Sequence, residues 1–86
     1  MVNFMEIILN PDVFRSILTV REIQVLNTII NGNSNKDAGR LLGISPRTIE
    51  VHRFRIIEKL KVRNTPDMIR VAMVKHFGAL MTQYAG

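Results

Sequence analysis

Apolar residues recur along this chain three and four positions apart, in separate blocks with polar punctuation between them. Ile23, Leu26, Ile29 and Ile30 make the clearest block. Ahead of them Thr19-Val20-Arg21-Glu22 fits a T-x-x-E capping box, and behind them Asn31-Gly32 supplies a left-handed stop. The pattern predicts a helix over residues 20–30. Ser34, with Asp37 three positions on, opens a second helix over residues 35–42, which Gly43 ends. Gly43-Ile44-Ser45 is a three-residue turn. Ser45 then caps a longer helix, Pro46 is its first residue, and Ile49, Ile56 and Leu60 fall on one side of it through residues 46–60.

Lys61-Val62-Arg63-Asn64 makes a basic connection to a fourth block. There Thr65 is the expected cap of a helix over residues 66–77, with Gly78 as its C′ residue. Met68, Ile69, Val71, Ala72, Met73, Val74 and Phe77 are apolar over more than one face of it. One face covers the domain and the surplus requires burial elsewhere. Residues 79–86 either extend this helix or fray.

At the front, Val2, Phe4, Met5, Ile7, Ile8 and Leu9 fit a single helical turn or a short strand, as a packed arm or a partner contact. Asn10-Pro11 starts a short helix ending near Ile17. All three prolines therefore stand where a helix begins and none falls inside one. The fold class is all-α: a four-helix, bundle-like domain containing a helix-turn-helix, with an additional short N-terminal arm or helix. The expected division is an arm over residues 1–17, the domain over 18–77 and a tail over 78–86.

Residues 35–55 carry the most specific signal. A helix-turn-helix needs a tight bend, a small residue where its helices approach, and apolar anchors inside. Gly43 meets the first need, Ala38-Gly39 the second, and Leu42, Ile44 and Ile49 the third. With Ile49, Ile56 and Leu60 facing in, Arg47, Glu50, Val51, Phe54 and Glu58 form the opposite stripe. The N-terminal part of such a helix enters the DNA major groove. Arg47 suits a phosphate or a guanine edge. Glu50 can accept from cytosine N4 or orient an arginine, and Val51 and Phe54 suit thymine methyls. Arg53, Arg55 and Lys59 flank the stripe and are expected at phosphates. Lys36, Ser45 and Thr48 lie near helix N-termini, where backbone N–H groups favour phosphate.

Charge supports this picture without deciding it. The 86 residues carry 12 Lys and Arg against 7 Asp and Glu, a formal net charge of +5, which favours a polyanionic partner. Hydrophobic residues make up 47%, which argues against disorder. No cysteine is present, so disulfides and thiolate zinc sites are excluded and a reducing cytoplasm fits. No apolar run approaches the roughly 20 residues of a membrane helix. The N-terminus lacks the basic lead and cleavage site of a signal peptide.

The stretch LTVREIQVLNTIINGNSNKDAGRLLGISPRTIEVHRFRIIEKLKVRN resembles the LuxR/FixJ-type DNA-binding domain of bacterial transcription regulators. The resemblance runs from about Leu18 to Ala72. It rests on Leu18-Thr19 with Arg21-Glu22, on Gly32-x-Ser34-Asn35-Lys36, on Ser45-x-Arg47-Thr48-Ile49-x-Val51-His52, and on Lys59-Leu60. It implies four helices, the last often used for dimerisation; Met68, Val71 and Val74 are the candidate homodimer contacts there, with Met68 and Met73 expected in either core or dimer packing. It implies DNA contacts by Glu50, Val51 and Phe54, with Lys36, Arg47 and Thr48 at phosphates or the groove. Double-stranded DNA, a second copy of the chain and a bacterial cytoplasm are the corresponding partners and place.

Two positions depart from the family pattern. Ala38-Gly39 replaces a bulky-apolar-then-alanine pair, which is expected to soften that helix, and Phe54 is larger than the usual residue. The 17 residues ahead of Leu18 are fewer than the receiver or ligand-binding domain most members carry would need, so phosphorylation or autoinducer control is not expected within this chain.

Catalysis and metals find little support. Ser34 and Ser45 have sufficient work as caps, and no glycine motif for phosphates occurs. His52 is expected to be packed and hydrogen-bonded, and His76 to be an exposed residue near a helix C-terminus. Neither has cysteine or histidine at metal-ligand spacing, so no enzyme activity, cofactor or metal is assigned. Two other functions share the fold: a partner-binding, inhibitor-like regulator acting through the apolar termini, and a promoter-recognition domain like that of a sigma factor.

Overall fold

A computed structural model describes residues 6–85, with side chains through residue 81. Its described residues form five α-helices and no strand: α1 (Pro11–Phe14), α2 (Val20–Ile30), α3 (Asn35–Leu42), α4 (Pro46–Leu60) and α5 (Thr65–Ala85). Each start has a local chemical cause. The Asn10 side chain accepts from the Asp12 N–H at 3.0 Å and Pro11 needs no partner for its nitrogen. Thr19 and Glu22 complete the reciprocal capping box. Ser34 and Ser45 each accept from the backbone three residues on, at 3.1 Å.

The core is shared by every helix. Phe14, Val25, Leu26, Ile49, Ile56 and Met68 are fully buried, and Leu9, Leu18, Ala38 and Ala72 join them. Helix α4 packs on α2, α3 and α5, so its inward face is fixed from three sides. Ile49 and Ile56 face in as their spacing predicts, and Leu60, half-buried, packs at the edge of the same cluster. At about 25 cal/mol per Å² of apolar surface, burial of this face is the main force holding α4 in place.

The N-terminal segment is tied down by side chains rather than by helix or sheet. Residues 6–10 have neither structure; the part of that expectation resting on Phe4 lies outside the described residues. Asn31 grips Ile7 from both sides: its Oδ1 accepts the Ile7 N–H and its Nδ2 donates to the Ile7 carbonyl, each at 2.7 Å. One turn earlier, Asn27 Oδ1 accepts the Leu9 N–H at 2.9 Å. The two amides satisfy backbone groups that burial of Leu9, only 3% exposed, would otherwise leave unpaired.

Several expectations are corrected. Helix α1 ends at Phe14, and turns rather than helix lead on toward Ile17. Thr65 is the first residue of α5 and not its cap; Asn64 caps it, accepting the Asp67 N–H at 2.9 Å. Gly78 does not end α5. A C′ glycine stop requires the left-handed region, and the described glycines with positive φ are Gly32 and Gly43. Ala79, Leu80 and Met81 are good helix formers and carry α5 on to Ala85. His76 is therefore not at the helix end, and it is buried. Of the two packings expected for Met68, the core is the one it takes: it is fully buried inside the chain's own core.

Candidate nucleic-acid interface

The helix-turn-helix is built at Gly39 and Gly43. Gly43 takes φ +70, where a side chain would strain the backbone, and its N–H closes the last turn of α3 on the Gly39 carbonyl. Gly39 serves the turn in a different way. A Cβ there would stand 2.5 Å from the Ile44 carbonyl oxygen and 3.3 Å from the Pro46 nitrogen, both backbone atoms. At this glycine the turn folds back directly onto α3. The Ile44 N–H donates to the Gly39 carbonyl at 2.9 Å, which locks the approach. Leu42 and Ile44 pack against the core beside Ile49.

The turn delivers the start of α4 to the surface. Ser45, Arg47 and Thr48 are exposed, with the two hydroxyls 2.9 Å apart. Arg47 reaches Glu50 across one turn at 3.6 Å. Val51 is 36% and Phe54 50% exposed, so two apolar side chains lie bare on the same stripe. Lys36, at the N-terminus of α3, and Arg55, on α4, are exposed, and their side chains make no hydrogen bond or ion pair among the described residues. The outward face thus combines an apolar strip, one bridged acid–base pair and unpaired cations.

Two cations expected at phosphates are engaged within the chain. Arg53 is half-buried, and its Nη1 donates to Thr65 Oγ1 at 2.6 Å. Lys59 donates to Glu22 Oε1 at 2.7 Å, joining α4 to the start of α2. Glu22 is 3% exposed. Burial pushes its carboxyl up, but the hydrogen bonds from Lys59 and Thr19 and the Lys59 charge outweigh that, and it titrates below its ordinary 4.5. Asp67, at the start of α5, is also held low, chiefly by its hydrogen bond from Arg70, against some desolvation and with help from Arg63. His52 is packed as expected, but its buried Nδ1 has no hydrogen-bond partner among the described residues.

Sequence patterning missed the Arg53–Thr65 and Glu22–Lys59 pairs. Cap spacing identified Glu22 and left its charge partner, in another helix, without a signal. No helix of the described residues is long and apolar enough to cross a membrane.

Comparison with known proteins agrees with this architecture. Residues 16–72 match the family model of bacterial regulatory proteins of the luxR family. The transcriptional regulatory protein FixJ of Rhizobium meliloti is 43% identical over 61 residues, 71% of this chain and 30% of that protein. The transcriptional regulatory protein TdiR of Thauera aromatica is 43% identical over 56 residues, 65% of this chain and 25% of that protein. The oxygen regulatory protein NreC of Staphylococcus carnosus is 36% identical over 64 residues, 74% of this chain and 29% of that protein. The match spans less than a third of each of these relatives. No solved structure matched. On the family match and the helix-turn-helix together, the chain belongs to the luxR family of bacterial regulatory proteins.

Proposed function

We propose that this domain binds double-stranded DNA sequence-specifically and regulates transcription, with α4 in the major groove. The observation that carries the reading is the outward stripe of α4, Arg47, Glu50, Val51 and Phe54, raised by a turn that packs closely against Gly39. Relatives named as transcriptional regulators support it. In this reading Glu50, Val51 and Phe54 face base edges. Lys36, Ser45, Arg47, Thr48 and Arg55 meet phosphates or groove walls.

We infer further that two copies bind together through α5. Val74, Phe77 and Met81 are 62%, 51% and 68% exposed, and their spacing of three and four puts them on one side of the helix. Val71 is half-buried beside them. A two-fold contact there presents two α4 helices to half-sites about one helical turn apart, roughly 34 Å.

A second reading has one observation in its favour. Ile8 is an exposed apolar side chain. Ile8 borders a cleft of about 250 Å³ with Leu9, Pro11, Ile23 and Leu42, on the α1–α2 side. Such a surface suits a protein partner.

A titration of the chain against duplex DNA at several salt concentrations tests the first reading. Log K should fall linearly with log salt, by about 0.9 for each phosphate neutralised. Absence of binding at low salt, with the helical circular dichroism intact, rejects it.

A further inference from the structure

We propose that Arg53 is a positioning residue for base recognition: it clamps the ring of Phe54 and ties it to the first residue of α5. The proposal rests on the DNA-binding reading and adds a residue to it that contacts no DNA.

The geometry is specific. One end of the Arg53 guanidinium is fixed by Thr65 Oγ1 at 2.6 Å. Its central carbon lies 5.3 Å from the centroid of the Phe54 ring, within cation–π range. Its Nε is shielded from solvent and has no partner among the described residues. A half-buried guanidinium with these commitments is less free to reach a phosphate than the exposed Arg47 and Arg55 on the same helix.

Phe54 needs such support. Phe54 is half exposed on the stripe that would face the groove and is not among the side chains packed on the core. An exposed aromatic free to sample rotamers loses entropy when it contacts a base, and a ring already held in place loses less. The guanidinium is planar and rigid, and it covers a ring face where a lysine ammonium would make only a point contact. The base feature that an apolar ring can read in the major groove is the thymine 5-methyl group. Thr65 begins α5, so the ring is referenced to the helix that carries the exposed Val74–Met81 stripe.

The test uses the whole chain and a duplex selected by it from a random pool. Each thymine of that site is replaced in turn by deoxyuridine, which lacks only the methyl. The unmodified protein should lose about fourfold in affinity at one thymine per half-site, the worth of one buried methyl. Phe54→Ala should abolish that difference. Arg53→Met should also abolish it while leaving the salt slope unchanged, because no phosphate contact is lost. Thr65→Val should weaken the discrimination and Thr65→Ser should retain it, which serves if Arg53→Met does not fold.

A salt slope reduced by about 0.9 in Arg53→Met, with the thymine preference intact, makes Arg53 a phosphate contact and overturns the proposal. Equal loss on every duplex, or no thymine dependence in the unmodified protein, also overturns it while leaving DNA binding standing. No binding to any duplex at low salt overturns both.

Discussion

One carboxylate oxygen of Glu22 accepts both the Lys59 ammonium, at 2.7 Å, and the Thr19 backbone N–H, at 2.8 Å. Thr19 and Glu22 begin α2, and Lys59 lies near the end of α4, 37 positions from its partner. A single buried oxygen therefore caps one helix and anchors the end of another. Because the folded state holds Glu22 below 4.5, its contribution is fully present above that unfolded value. It is lost as pH falls through the lower, folded value.

Glu22→Gln keeps a side chain able to complete the cap but removes the charge. It should destabilise the domain by about 1–2 kcal/mol at pH 7, the difference between charged and neutral hydrogen bonds. The gap from the unmodified protein should close as pH drops below about 4.5. Urea unfolding at pH 7, 5 and 3 measures both; a gap constant across that range would contradict the account.

Gly39→Ala offers a sharper test, because two effects oppose. Alanine in mid-helix should gain roughly 0.5–1 kcal/mol. The added Cβ meets the Ile44 carbonyl at 2.5 Å, and backbone on both sides leaves little room to yield. Overpacking of this kind costs about 1–3 kcal/mol, so net destabilisation is expected. A raised melting temperature would mean the turn relaxes more readily than the geometry implies.

Substitutions on α4 and α3 should separate base readout from phosphate contact. Val51→Ala and Glu50→Ala should change which sites are selected, with losses of about 1–3 kcal/mol at particular bases. Lys36→Ala should weaken all sites alike and reduce the salt slope by about 0.9. Site selection followed by titration at three salt concentrations checks the pair of claims. Uniform losses from the α4 variants would remove Val51 and Glu50 from readout.

For the pairing of copies, Val74→Glu and Met81→Glu place charges on the exposed stripe of α5 and should shift sedimentation toward monomer. Both positions are more than half exposed, so the monomer should stay folded. Met68→Ala should instead destabilise the monomer itself, by about 2–5 kcal/mol, since that side chain is in the core. A monomeric unmodified protein, on DNA as well as free, would dispose of the α5 pairing.

Most helix boundaries were legible in sequence because caps are local chemistry. Thr19 with Glu22, Ser34 and Ser45 act on backbone three residues away, so spacing alone identifies them. The turn was legible for the same reason. What spacing could not reach was the pairing of distant side chains. Arg53 and Lys59 look like surface cations in a helical projection, and only the packing of α4 against α5 and α2 brings them to Thr65 and Glu22. Gly78 misled because a glycine near a helix end can stop it or be passed through; the apolar residues beyond it favoured continuation. His76 followed the same error: with α5 continuing, it is a buried mid-helix residue.

The length of α5 turns a small angle into a register change. Its 21 residues make a rod about 31 Å long. Were two copies to meet toward Met81, a tilt of about 5° between the rods would move the far ends by about 3 Å, close to the roughly 3.4 Å rise of one base step. The crossing angle of two α5 helices would then select how many base pairs separate the half-sites, and a residue that touches no DNA would choose among operators by their spacing.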